Sequence, residues 1–276
     1  MPEGHTIHRL AAEYGHAFGG GRPVRADSPQ GRFAGGAALV DGRPLTSADA
    51  VGKHLFLGWD GVGWVHIHLG LYGKVRFGAG PPPPPEGQIR LRLWNDARHA
   101  ELRGPTACAL VTDAEKAAVE DRLGPDPLRP DADPDRAWRR VSASRTPVAA
   151  LLMDQKVVAG AGNVYRAEVL FRNGIDPYRP GRDLTRREWD ALWHDLVALM
   201  REGVRLGRID TVRPEHTPEA MGRPPRVDDH GGEVYVYRRT AMPCLVCGDA
   251  VRTAPLAARN LFWCPTCQHR RDPPRT

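Results

Sequence analysis

Four cysteines near the C-terminal end constrain this chain more tightly than any other feature. Cys244-Leu-Val-Cys247 is followed, after 16 residues, by Cys264-Pro-Thr-Cys267. Two such pairs at this separation can set four thiolates tetrahedrally around one Zn2+, and a closed sulfur shell marks the metal as structural. The segment is too short to bury a core of its own, so the metal would supply its stability. Redox-active cysteines and a coincidental cluster are the alternatives. The fifth cysteine, Cys108, sits in an apolar, strand-like run and reads as a small buried residue.

The charge is mildly basic. Lys plus Arg is 39 against 33 Asp plus Glu, a net charge of +6, which hints at a polyanionic partner. From Arg238 to the end, seven arginines face two acids, Asp249 and Asp272, so this short tail carries nearly the whole excess. A merely solvated basic tail would look the same. Lysine is scarce: Lys53, Lys74, Lys116 and Lys156 are the only four. No apolar run approaches the length of a membrane span, and Met-Pro-Glu-Gly-His is no signal peptide. The expectation is a cytoplasmic protein in contact with nucleic acid, without membrane attachment.

Periodicity divides the chain. Ile7, Leu10, Ala11, Tyr14 and Phe18 repeat at helical spacing until Gly19-Gly20-Gly21. Strand-like runs follow: 51–59 and 64–77 flank the Asp60-Gly61 turn, 88–94 and 98–102 flank Asn95-Asp96, and 107–112 comes last. Pro81 to Pro85 reads as a stiff spacer. Pro125 to Pro134 is the best domain boundary. Helices are expected at 138–144, from Thr146-Pro147 through Gln155, at 164–172 closing on Asn173-Gly174, and from Thr185, where Glu188 completes a capping box. The polar, proline-rich stretch after Gly207 reads as a long mobile loop, and 233–238 as a strand leading into the cysteines.

The first residues carry a second chemical signal. Met1 precedes a small residue, so its removal would leave the secondary amine of Pro2 as the free terminus. Such an amine attacks an aldehyde-level carbon to form an iminium without any lysine. An α-amino group titrates at roughly 7.7–8.0, and the positive end of a helix lowers that value. Glu3 beside it can act as acid and base. Pro-Glu is equally ordinary at the start of a helix.

The order of motifs along the chain resembles the formamidopyrimidine-DNA glycosylase and endonuclease VIII family. Pro2-Glu3-Gly4 opens it, followed by Gly52-Lys53-His54-Leu55-Phe56, then His68-Leu69-Gly70-Leu71-Tyr72-Gly73. Leu123-Gly124-Pro125-Asp126-Pro127-Leu128 comes next, then residues 152–163 ending in Gly160-Ala161-Gly162-Asn163, and last Arg259-Asn-Leu-Phe-Trp-Cys264. The resemblance implies an α+β multidomain chain: an N-terminal β-sandwich with a leading helix (1–124), a helix-two-turns-helix domain with its following loop (125–232), and a strand with a C-terminal β-hairpin zinc finger (233–276).

It also implies a bifunctional glycosylase and abasic-site lyase acting on double-stranded DNA as a nucleoid-associated monomer, with one structural Zn2+ on Cys244, Cys247, Cys264 and Cys267. Pro2 would be the Schiff-base nucleophile and Glu3 the proton shuttle. Lys53 and Arg259 would contact phosphate and assist elimination. Asn163 and Arg122 would contact DNA. Leu71 and Tyr72, at a hairpin tip, would fill the base stack; this pair resembles the endonuclease VIII branch, which favours oxidised pyrimidines. Two core-facing strand residues would give the same pattern. His66 and His68 share a strand face and read as phosphate-facing or solvated rather than as metal ligands.

The family's usual Glu is Thr6 here, its frequent Pro is His5, and Gly70 replaces a polar side chain. Loop 209–232 matches no lesion-capping loop. Three rivals stand beside this reading: an oxidised-purine enzyme of the same fold, a non-catalytic damaged-DNA-binding zinc protein, and a zinc-ribbon protein of transcription or translation.

Overall fold

The computed structural model describes residues 2–228 and 232–269. Met1, residues 229–231 of the loop, and Arg270, Arg271, Asp272 and Arg275 of the basic tail lie outside the described residues. The chain divides into two compact units, the first ending at Arg122 and the second starting at Leu123.

The first unit opens with helix α1 (Gly4–Phe18), whose apolar stripe of Ile7, Leu10, Ala11, Tyr14 and Phe18 is buried as its spacing requires. Strand β1 (Pro23–Asp27), helix α2 (Ala34–Val40) and strands β2 (Arg43–Pro44), β3 (Ser47–Val51), β4 (His54–Trp59) and β5 (Gly63–His68) follow. Then come β6 (Lys74–Ala79), β7 (Leu91–Trp94), β8 (Arg98–Arg103), β9 (Ala107–Val111) and helix α3 (Asp113–Asp121). Two sheets form, in the orders β2-β1-β7-β8-β6 and β3-β4-β5-β9. Val24, Leu91, Leu93 and Leu102 of one, Leu55, Leu57, Val65 and Ile67 of the other, and the stripe of α1 share one core.

The Asp60-Gly61 and Asn95-Asp96 hairpins form as expected, β4 on β5 and β7 on β8. The run 64–77 does not continue as one strand. It breaks after His68, and β6 pairs with β8 in the other sheet. Gly73 N–H donates back to Leu69 O at 3.0 Å, and a Cβ at Gly73 would lie 2.2 Å from that oxygen. The chain can therefore reverse there only without a side chain. Leu71 and Tyr72 lie in this inter-sheet turn rather than at a hairpin tip.

The second unit holds helices α4 (Pro134–Ser142), α5 (Val148–Leu151), α6 (Asn163–Arg172), α7 (Arg186–Leu206) and α8 (Pro218–Met221), then strands β10 (Arg252–Leu256) and β11 (Arg259–Trp263). Helix α4 starts inside the proline-rich boundary, with Asp133 capping it and Pro134 in its first turn. Helix α7 has the expected capping box, Thr185 with Glu188, and closes on left-handed Gly207. Helix α5 is shorter than its pattern suggests: Pro147, not Thr146, is its cap, and Gln155 falls in the loop beyond it. Trp189, Leu192 and Leu196 of α7, nearly all of α6, and Leu261 and Phe262 of β11 form one core.

Residues 233–238 are not a strand. The amides of Tyr235, Val236 and Tyr237 all donate to the Glu168 carboxylate, at 2.7, 2.9 and 2.8 Å. Three successive N–H groups can converge on one carboxylate only if the backbone curls. Described residues of the expected mobile loop are likewise tied down. Thr211 N–H donates to Glu233 O at 2.8 Å, and Arg223 pairs with Glu233 at 2.6 Å.

Candidate active site and nucleic-acid interface

In the first unit, Pro2 is half-buried and Glu3, which is 0% exposed, is the N-cap residue of α1. The Glu3 carboxylate makes no cap hydrogen bond to its own helix, while its carbonyl accepts from Thr6 N–H at 3.0 Å. Thr6 Oγ1 is 3.3 Å from His5 Nε2. Burial pushes the His5 imidazole down to about 4, so it is neutral near pH 7.

Lys53 sits in the turn between β3 and β4, beside a three-histidine cluster. His54 Nδ1 and His66 Nε2 are 2.8 Å apart, and the His54 and His68 ring centroids are 5.0 Å apart. Burial first, then the neighbouring histidines, Arg122 and Lys53, pushes His54 down to about 3. Burial, then His68 and Arg122, takes His66 to about 4. His68 is lowered by burial and by Lys53. These rings are therefore neutral at pH 7, and the two fixed cations flank them. So the fold gathers Lys53 and Arg122, 69 positions apart in the chain, around one patch. Leu71 and Tyr72 are 44% and 86% exposed, which removes the reading that they face the core.

In the second unit, Gln155 holds the loop ahead of α6. Its Nε2 donates to Ala161 O at 2.9 Å and its Oε1 accepts from Gly160 N–H at 3.0 Å. Gly124 N–H donates to Gln155 O at 2.8 Å, and a Cβ at Gly124 would lie 2.3 Å from Val157 O. That close approach explains the glycine in the Leu-Gly-Pro-Asp segment. Asn163 is the first residue of α6, behind Gly162 as N-cap, and is buried. Its side chain faces the finger: Nδ2 donates to Asn260 O at 3.0 Å, and Oδ1 accepts from Arg166. Arg259, next to Asn260, is exposed.

Sequence reasoning passed over Arg166 and the His54 contribution to the histidine cluster. Nothing in the local pattern flags Arg166, because α6 is buried on every side from Asn163 to Phe171 and shows no polar face.

The four cysteine sulfurs lie within 4.8 Å of one another, with Cys247 to Cys264 at 3.4 Å and Cys244 to Cys267 at 3.8 Å. A tetrahedron of thiolates about 2.3 Å from zinc has edges of about 3.8 Å, so the donor set fits that ion. Gln268 joins the knuckle to the helices: its Oε1 accepts from Cys264 N–H and its Nε2 donates to Ile175 O, both at 3.0 Å.

The hairpin β10–β11 turns through Ala257 and Ala258, at φ 53° and 57°. Both central residues of such a turn favour Asn or Gly, and each left-handed alanine costs about 1–2 kcal/mol. Ala258→Gly is expected to raise the unfolding temperature of the zinc-loaded chain by about 2–4 °C. An unchanged or lower midpoint would show that the turn is unstrained.

Models of the formamidopyrimidine-DNA glycosylase N-terminal domain and of its H2TH domain match residues 1–108 and 123–214. A model of the zinc finger found in FPG and IleRS matches 243–270. Endonuclease 8 1 of Mycobacterium tuberculosis is 53% identical over 272 residues, covering 97% of this chain and 100% of that protein. The chain belongs to the formamidopyrimidine-DNA glycosylase and endonuclease VIII family. As a member of it, the chain is a DNA-repair glycosylase and lyase with a four-cysteine zinc finger.

Within the family, formamidopyrimidine-DNA glycosylase of Thermus thermophilus is 31% identical over 236 residues, 84% of this chain and 85% of that one. The crystal structure of MutM (Fpg) from Thermus thermophilus superposes with a TM-score of 0.73 at 28% identity, covering 98% of this chain and 100% of that one. Lactococcus lactis Fpg in complex with abasic-site DNA shares the fold, with a TM-score of 0.77 at 21% identity over 97% and 100%. No helix among the described residues is long and apolar enough to cross a membrane.

Proposed function

We propose that this chain removes oxidised bases, pyrimidines by preference, from double-stranded DNA as a monomer, and cleaves the strand by β- and δ-elimination through a Schiff base on Pro2. The observation that carries this reading is the buried Glu3 carboxylate directly after Pro2. A carboxylate held there is poised to give and take protons beside the terminal amine.

Once Met1 is removed, the proline nitrogen attacks C1′ and the C1′–base bond breaks, the base leaving with the bonding pair. Opening of the sugar leaves an iminium, and Glu3 shuttles the protons. Loss of a C2′ proton expels the 3′ phosphate, and loss of a C4′ proton expels the 5′ phosphate. Lys53 and Arg122 hold phosphate beside the histidine patch. Arg259 holds phosphate for the second elimination. Asn163 acts at the start of α6, where backbone amides favour an anion. Leu71 and Tyr72 fill the space of the everted base, and their exposure supports that part of the reading. Segment 1–124 carries the chemistry, 125–232 grips the DNA backbone, and 233–276 brings in Arg259.

Borohydride trapping on duplexes with an abasic site, an oxidised pyrimidine or an oxidised purine tests the proposal. A covalent adduct is expected with the first two. It is expected to vanish in Pro2→Leu, whose bulk also blocks removal of Met1, at unchanged zinc content. No adduct from wild type on any duplex would leave the non-catalytic damaged-DNA binder. A stronger adduct on the purine would overturn the lesion preference alone.

A further inference from the structure

Arg166 is 0% exposed, and a guanidinium is expensive to bury unless its donors are satisfied. The acceptors of its two terminal nitrogens come from three places. Nη1 donates to Ala149 O in α5 at 3.5 Å and to Leu256 O at 3.3 Å. Nη2 donates to Asn260 O at 3.4 Å and to Asn163 Oδ1. Leu256 and Asn260 are the residues that bracket Ala257-Ala258-Arg259. One planar group therefore spans the mouth of the finger turn and joins it to both helices around the asparagine loop, while Asn163 Nδ2 adds a second bond to Asn260 O at 3.0 Å.

The turn that is held this way carries two left-handed alanines and no glycine. Such a backbone persists only where its surroundings over-determine it. Arg259 leaves the turn directly after them, so its direction follows the turn.

We infer that Arg166 is the positioning residue for Arg259: it clamps the finger turn so that the exposed guanidinium meets the phosphate expelled in the second elimination. The inference rests on the role proposed above for Arg259. Lysine, with one compact ammonium, cannot bridge Leu256, Asn260, Ala149 and Asn163 at once, so retained charge does not preserve the clamp.

The test follows zinc-loaded, full-length protein on a duplex with an abasic site, reading borohydride trapping and the ratio of δ- to β-elimination product separately. Arg166→Met and Arg166→Lys are expected to trap like wild type while the δ step slows by about 100-fold, the effect of a misplacement of about 1 Å. Arg259→Ala is expected to show the same loss of the δ step, and Arg166→Met in that background to add nothing to it.

A wild-type product ratio in either Arg166 variant overturns the inference. So does an additive loss in the double variant, or uniform slowing of trapping and both eliminations, which a merely structural role would give. If Arg166→Met loses zinc, one glycine inserted between Ala258 and Arg259 displaces Arg259 while leaving the core intact. It must then give the same selective δ loss, and a wild-type ratio there overturns the clamp. Absence of any adduct from wild type is a failure of the proposed function, which the trapping arm reports independently.

Discussion

Chelation of zinc is expected to unfold the finger hairpin and abolish DNA binding. Structural zinc contributes about 10–16 kcal/mol of apparent binding free energy in finger peptides, against a typical domain stability of about 5–15 kcal/mol. The finger is not an appendage that can melt alone. Leu261 and Phe262 belong to the helical core, Trp263 stacks edge-on against Tyr178 at 5.4 Å, and Gln268 bonds Ile175. Loss of the metal therefore exposes apolar surface of α6 as well as the hairpin. Elemental analysis should find one zinc per chain. The unfolding midpoint of chelated protein should drop by well over about 10 °C. An apo chain that melts and binds DNA like the loaded one would refute a structural role for the metal.

Glu168→Gln is expected to destabilise the second unit by about 3–5 kcal/mol. Glu168 is 0% exposed and accepts from three successive amides and from Thr211 Oγ1, the last at 2.5 Å. A carboxylate offers lone pairs on both oxygens; a carboxamide turns one side into donors. At least one buried N–H would then face another donor, and bonds to a charged acceptor are worth about 1.5–3 kcal/mol each. Segment 233–238 should detach first, because those bonds fix its curl. Denaturant unfolding of the zinc-loaded variant measures the loss. A change below about 1 kcal/mol would mean that the amides find other acceptors.

Much of this molecule is legible from short stretches. The cysteine spacing predicts a tetrahedral donor set, and the four sulfurs are gathered as it requires. The stripe of α1, the capping box of α7 and the two short hairpins appear where their patterns place them. These signals act over a few residues, so the chain carries them locally. The misreadings share the opposite character. Run 64–77 has strand composition on either side of Gly70 and Gly73, and those two glycines become a turn because β5 and β6 join different sheets. Segment 233–238 has strand composition too, yet a carboxylate 67 positions away from Tyr235 curls it.

The candidate site divides along the same line. By itself the sequence determined the family, the four-cysteine donor set and the residue types at the N-terminus, because identity and spacing suffice for those, whereas the exposure of Leu71 and Tyr72 came from the structure. Only the tertiary structure decided that Glu3 is buried beside Pro2, that Lys53 and Arg122 flank one neutral histidine cluster, and that Asn163 turns its side chain to the finger. It alone shows Arg166 clamping Leu256 and Asn260, residues 90 and 94 positions away. A buried polar group takes its role from the partners that satisfy it, and those partners are set by packing rather than by neighbours in the chain.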